Sequence, residues 1–197
     1  MRDAVTETFI HPTAIVDDGA TIGAGSSIWH HAHVRAGARV GDRCMIGNGV
    51  YVGAGVTVGS RCKIQNRAML FEGSRIADGV FIGPRATLAN DRFPRAVTPE
   101  GELKGAEDWT QGTVQVDEGA SIGAGAVVIS DARVGRWAMV GAGSVVTRDV
   151  RPHELVVGNP ARHAGYVCMC GRRLAPVGDA WRCSVCGRTV DLEGASS

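Results

Sequence analysis

The chain has 197 residues, 44% hydrophobic but only 5% aromatic, with 28 glycines and a formal net charge of +1. This bounds it to one main domain with room for a small appendage, and supplies enough apolar matter for a sizeable core. The near-zero charge gives no global field for nucleic acid or a membrane surface, no run approaches the roughly 18 apolar residues of a membrane span, and Arg2, Asp3 and Glu7 leave no room for an apolar signal region. A soluble cytoplasmic protein is expected, without a nucleic-acid or membrane partner.

From Ile10 to Leu88 an aliphatic residue stands at every sixth position, through Ile28, Val34, Val40, Ile46 and onward without a gap. Two residues before each sits something small or β-branched, and Gly often follows. A helix calls for an apolar period near 3.6 and a strand for 2, so a period of six fits neither as one long element. It fits short strands joined by tight turns and stacked as coils. The expected fold is all-β: a parallel β-helix of hexapeptide repeats, three hexads to a coil, with four to five coils over this stretch. Aliphatic side chains fill such a narrow interior better than rings do.

Polar groups decorate the repeat. His30, His31 and His33 follow Ile28 in IWHHAHV. They read either as a base or metal site or as outward-facing surface, and neighbouring coils supply no histidine in register. Lys63, Gln65, Asn66, Phe71 and Glu72 form a second constellation, with Gln65 and Phe71 where other coils prefer Gly. Amides hold hydroxyl and amino groups without charge; the alternative is an asparagine ladder satisfying turn backbones. Asn90 stands at the last regular turn. Residues 90–113 then lose the phase, with two prolines and three glycines, and are expected to loop out of the helix without structure of their own. Long loops in compact repeats serve function or are disordered, and Arg92, Phe93, Arg95 and Trp109 are suited to gripping a ligand.

The hexads return from Val114 to Val150, after which Pro152 and Pro160 are expected to end regular coils. The open top of the helix needs a cover, and the tail is the candidate. It reads Cys168-Met-Cys170-Gly, then, after twelve residues, Cys183-Ser-Val-Cys186-Gly. Two close pairs of this kind resemble the knuckles of a zinc ribbon, with four thiolates on a structural Zn2+. Cys44 and Cys62 fall in the small-residue row and read as inert core. The expected organisation is a β-helix over 1–165, a ribbon-like module over 166–190, and a tail over 191–197.

The segments IHPTAIVDDGATIGAG, SSIWHHAHV, RCKIQN, FIGP and VVGNPAR resemble the hexapeptide-repeat nucleotide-sugar N-acetyltransferases across residues 9–165. The resemblance implies a left-handed winding and a homotrimer with its sites between adjacent helices. It implies acetyl-CoA along the C-terminal coils, near Ala124 and Ala142, with Arg162 meeting its phosphates. It also implies a UDP- or dTDP-linked amino sugar, 3-amino favoured over 4-amino, with the insertion contributing contacts; Gln65, Asn66, Phe71, Glu72, Arg92 and Arg95 are the substrate-binding candidates. Asn90 matches the asparagine that holds the reacting amine. The 3-amino branch has no obvious protein base, whereas a histidine serves in related branches, so His31 and His33 stay candidates. AMLFEG stands where relatives carry VSVYEG-like segments, and the cysteine tail is absent from the members of the family that acetylate UDP-2-acetamido-3-amino-2,3-dideoxyglucuronate. An O-acetyltransferase on a sugar or small hydroxylic acceptor, and a non-enzymatic scaffold whose ribbon recruits a partner, are the alternatives.

Overall fold

The computed structural model describes residues 7–178 and 180–192; the expectations for residues 1–6 and for the tail from 193 onward lie outside them. Each hexad forms a strand of two or three residues followed by a turn, as in Ser27–Ile28, His33–Val34 and Arg39–Val40. Successive side chains of a strand take opposite sides, so the aliphatic residue points inward while its predecessor faces out. Ile28, Val34 and Val40 are accordingly buried.

The strands stack into three sheets, one for each face of the coil. On the first face the register runs Ile28 to Ile46, Ile64, Ile82, Ile122, Val140 and Val156. Like side chains therefore pack on like. The first face holds eight parallel levels, closed by one antiparallel strand. Each buried isoleucine contributes about 1.5–3 kcal/mol relative to exposure, but only when coils lie on both sides of it. The ends show this dependence: Ile10, in the first level, is 45% exposed, and Ile28 one coil on is 0% exposed.

Regular stacking continues further than the prolines suggest. Pro152 falls in a turn, and Glu154–Val157 still adds a level beside Met139–Val140. The chain then reverses through the cis Asn159–Pro160 bond, and Arg162–Tyr166 pairs antiparallel with Glu154–Val157. This hairpin, rather than the cysteine module, covers the open edge of the first sheet. Its core anchor is Glu154, 3% exposed, which takes Arg148 Nη2 at 2.8 Å, Arg151 N at 2.8 Å and His163 Nδ1 at 3.1 Å. Burial disfavours the Glu154 carboxylate, yet Arg148 and the Arg151 N–H overcome that and hold its pKa below the ordinary value.

The insertion has its own local order. Val97 bridges Leu103, Thr98 N bonds Glu102 O at 2.8 Å, and Ala106–Asp108 forms one 3-10 turn. Thr87 pairs with Val127 in the same register that other coils keep. Beyond the hairpin, Leu174–Val177, Ala180–Cys183 and Thr189–Val190 make a small antiparallel sheet, with Tyr166, Leu174 and Cys183 in its core.

Candidate functional site

Three columns of turns run along the solenoid, one at each edge, and the expected site residues divide between two of them. On the edge after the first face, the register stacks Gln65 between Gly47 and Gly83, and Asn66 between Asn48 and Pro84, with Ala124 and Ala142 further along. Asn66 Oδ1 accepts the Asn48 N–H at 3.0 Å. Asp42 and Asp78 make the same bond to Ala24 and Ser60, at 2.9 Å each. Asn66 is thus a member of the backbone-satisfying turn ladder. His31 also lies on this edge, at φ 55°, in the left-handed turn position filled by Gly49 one coil on. His11, one place out of register, stacks on His30 with ring centroids 3.7 Å apart, although a strictly in-register count finds no histidine partner.

Further along this edge the coils approach closely. A Cβ at Gly123 would lie 2.6 Å from Gly141 C and 2.7 Å from Ala142 Cα, so only glycine fits there. Ala124 and Ala142 are exposed, and among the described residues their N–H groups meet no protein acceptor. Arg162, paired with Val157 in the closing hairpin, stands at the end of the same edge. Ala124, Ala142 and Arg162 therefore follow one line.

The edge after the second face carries Phe71, Glu72 and Asn90. Glu72 and Asn90 are one coil apart, and Asn90 Nδ2 lies 3.5 Å from Glu72 Oε2. Glu72 Oε1 accepts Tyr51 O–H at 2.8 Å and Ala54 N–H at 3.3 Å. Tyr51 Oη accepts Arg35 Nη1 at 3.2 Å, Arg35 Nε donates to Asp17 Oδ2 at 3.0 Å, and His33 Nε2 lies 2.9 Å from Asp17 Oδ1. One hydrogen-bonded line thus joins His33 to Asn90 across five coils. Burial works against Glu72 ionising, but its own N–H, the Tyr51 phenol, the Ala54 N–H and the Arg35 charge prevail and lower its pKa. His33 belongs to this edge and His31 to the other, so the structure separates these two candidates. Sequence reading missed Asp17, Arg35 and Tyr51.

Against this edge the insertion closes a cleft of about 510 Å3, whose lining includes Phe71, Glu72, Asn90, Asp91, Arg95, Lys104 and Trp109. That volume falls within the range of small-molecule sites, about 300–1,000 Å3. Its acidic residues are Glu72 from the solenoid and Asp91 from the start of the insertion, and its basic residues, Arg95 and Lys104, come from the loop. Among the described residues neither Arg95 nor Lys104 forms an ion pair; Lys104 Nζ donates to Asp108 O at 3.0 Å. Arg92 lines a second cleft beside it and lies 3.8 Å from Asp131.

The four cysteines of the tail converge. Sγ atoms of Cys168, Cys170, Cys183 and Cys186 all lie within 4.8 Å of one another, with Cys168 to Cys186 at 3.5 Å and Cys170 to Cys183 at 3.6 Å. Zinc held tetrahedrally by thiolates at about 2.3 Å separates the sulfurs by about 3.8 Å, so the donor set and its spacing fit a structural zinc. Cys44 and Cys62 are buried in the solenoid interior, as their place in the repeat suggests.

The description of the bacterial transferase hexapeptide, six repeats, matches residues 37–71 and 113–148. The chain is a hexapeptide-repeat β-solenoid. It resembles a dTDP-3-amino-3,6-dideoxy-alpha-D-galactopyranose 3-N-acetyltransferase of Aneurinibacillus thermoaerophilus, 39% identical over 77 residues that make up 39% of this chain and 40% of the relative. Among solved structures, PerB of Caulobacter crescentus in complex with CoA and GDP-perosamine is 26% identical with a TM-score of 0.51, covering 80% of this chain and 57% of that one. A hexapeptide-repeat acetyltransferase of Vibrio cholerae complexed with acetyl-CoA shares the fold at 22% identity and a TM-score of 0.57, over 67% of this chain and 72% of the other. The solenoid thus spans less than two thirds of the length of the first two relatives. No helix among the described residues is long and apolar enough to cross a membrane.

Proposed function

We propose that the solenoid is an acetyl-CoA-dependent N-acetyltransferase acting on a nucleotide-linked amino sugar, with a 3-amino acceptor favoured over a 4-amino one. The observation that carries this reading is the mixed lining of the cleft, which brings Glu72, Asn90 and Asp91 together with Arg95 and Lys104, neither of which forms an ion pair among the described residues. A ligand that carries both an amine and a diphosphate is complementary to that lining, and Trp109 adds an aromatic face to it. The likeness to a dTDP-3-amino-sugar 3-N-acetyltransferase supports the same acceptor class.

In this reading Asn90 and Glu72 hold the acceptor amine, while the free N–H groups of Ala124 and Ala142 hold the arm of acetyl-CoA and Arg162 its phosphates. The neutral amine attacks the thioester carbonyl carbon, the carbon–sulfur bond breaks, and the nitrogen's proton passes to solvent or to the departing thiolate. Orientation supplies most of the barrier reduction, up to roughly 7–11 kcal/mol. The amine and the cofactor arm are assigned to different edges of one solenoid, which favours a homotrimer with each site shared between neighbouring chains. The structural zinc is held by Cys168, Cys170, Cys183 and Cys186 and takes no part in transfer.

Purified protein incubated with acetyl-CoA and a panel of UDP- and dTDP-linked 3-amino and 4-amino sugars should release thiol with at least one 3-amino substrate. Asn90→Ala should lower turnover far more than acetyl-CoA affinity. Silence across the whole panel refutes the reading. Transfer to a hydroxylic acceptor that is abolished by His33→Ala would instead support O-acetylation, with the His33–Asp17 pair as base.

A further inference from the structure

Tyr51 precedes the buried Val52 on its strand, so its ring stands outside the core. There it packs edge-on to His33, with centroids 6.0 Å apart, and against Phe71 at 5.7 Å. These rings fix where its hydroxyl sits. A phenol has one proton to give, and an arginine only donates. Since Arg35 Nη1 donates to the Tyr51 oxygen at 3.2 Å, the phenol proton goes to Glu72 Oε1, 2.8 Å away. Arg35 is itself held by Asp17, 3.0 Å from its Nε. The direction of the bonds from Arg35 through Tyr51 to Glu72 is therefore settled by the donors present.

The consequence falls on Glu72. Its side chain is long and flexible, and an unheld glutamate at a cleft floor loses rotamer entropy each time it must meet a ligand. Here Oε1 is occupied by Tyr51 and by Ala54 N–H at 3.3 Å, while Oε2 is left toward Asn90 Nδ2 at 3.5 Å and the cleft. A hydrogen bond to a carboxylate is shorter and stronger than one between neutral groups. We propose that Tyr51, seated on the Asp17–Arg35 pair, is a positioning residue that clamps Glu72 Oε1 so that Oε2 faces Asn90 and the acceptor amine. The proposal rests on the N-acetyltransfer reading and adds to it a residue that touches neither substrate.

Tyr51→Phe keeps the ring packing and removes only the hydroxyl. Turnover on the amino sugar should fall about tenfold or more, as expected for losing a hydrogen bond to a charged group, with acetyl-CoA affinity unchanged by calorimetry. Because Tyr51 acts through Glu72, the double variant Tyr51→Phe/Glu72→Gln should be no slower than Glu72→Gln alone. A readout independent of activity is the carboxyl carbon resonance of Glu72, followed through acid titration. Its midpoint should rise in Tyr51→Phe and, in the same direction, in Arg35→Gln. An unmoved midpoint in Tyr51→Phe, or a rate loss that adds in full to that of Glu72→Gln, overturns the proposal. A wild-type protein inactive on every amino sugar would sink the functional reading instead, while the titration still decides whether Tyr51 clamps Glu72.

Discussion

Gly123→Ala tests whether the edge bearing Ala124 and Ala142 is as tightly built as the geometry indicates. Gly123 has an ordinary backbone conformation, so alanine meets no dihedral penalty there and the whole effect is one of space. The added Cβ would lie 2.6 Å from Gly141 C and 2.7 Å from Ala142 Cα, and closer still to Ala142 N. These are backbone atoms, which cannot swing aside as a side chain can. Relief to ordinary contact near 3.5 Å requires the coils to part locally by almost 1 Å. That strains the ladder on either side, where Gly123 N bonds Val140 O and Gly143 N bonds Ala124 O, both at 2.8 Å. Overpacking costs about 1–3 kcal/mol and each of the two weakened hydrogen bonds about 0.5–1 kcal/mol, for a total near 2–5 kcal/mol. At about 2–4 °C per kcal/mol for a chain of this size, calorimetry should show a melting temperature lower by roughly 4–20 °C. The comparator is Gly125→Ala, where nothing lies within 4 Å but φ is +66°, leaving only left-handed strain of about 1–2 kcal/mol. Acetyl-CoA titration should weaken more in Gly123→Ala, because parting the coils displaces the two free N–H groups. A Gly123→Ala protein that melts and binds like Gly125→Ala would refute the reasoning.

Two further outcomes follow from the C-terminal end. Glu154→Gln should cost about 2–3 kcal/mol at neutral pH, less than the roughly 3–5 kcal/mol of a fully buried broken pair because Arg148 is 42% exposed. Since folding depresses this carboxyl's pKa, its contribution is complete above the unfolded value near 4.5 and is lost as pH falls through the folded value. The melting-temperature gap between wild type and Glu154→Gln should therefore close on acidification; a gap that widens would contradict the assignment. Protein purified without chelator should carry one zinc per chain, and stripping it should abolish hydrogen-exchange protection across residues 166–190 while leaving the solenoid coils protected. A metal-free module with full protection would exclude the zinc assignment.

The coil architecture was legible because its cause is local: one aliphatic in six, with small neighbours, leaves a chain no other way to bury that row. Ile28 over Ile46 and Glu72 beneath Asn90 follow from counting eighteen positions. The same counting explains what was misgrouped. Gln65 and Asn66 precede Phe71 and Glu72 by six positions, which in a coil is one face over, so residues that look like a single polar cluster stand on separate edges. His31 and His33 part for a similar reason, with a corner between them. The clamp on Glu72 was hidden because Tyr51 reaches it diagonally, from twenty-one positions upstream, and the first-face strand after Pro152 was hidden because proline ends a hexad without ending the stack. The cysteine spacing was legible outright, since few other arrangements bring four thiols together.

The insertion enters and leaves the stack at almost the same point. Gly112 N bonds Asn90 O at 2.8 Å, and Thr113 N is held by Asp131 Oδ1 at 3.0 Å. Thr87 meets Val127, and Ser74 meets Val114, forty positions on instead of eighteen, with no slip in alignment. The register of the coils above and below is therefore unaffected by the twenty-two extra residues. Such a graft point lets a lineage rewrite the wall of the cleft, lengthening it, recharging it or exchanging it, without shifting the register of the interior. Selectivity can drift here at the speed of a surface loop while the scaffold stays still.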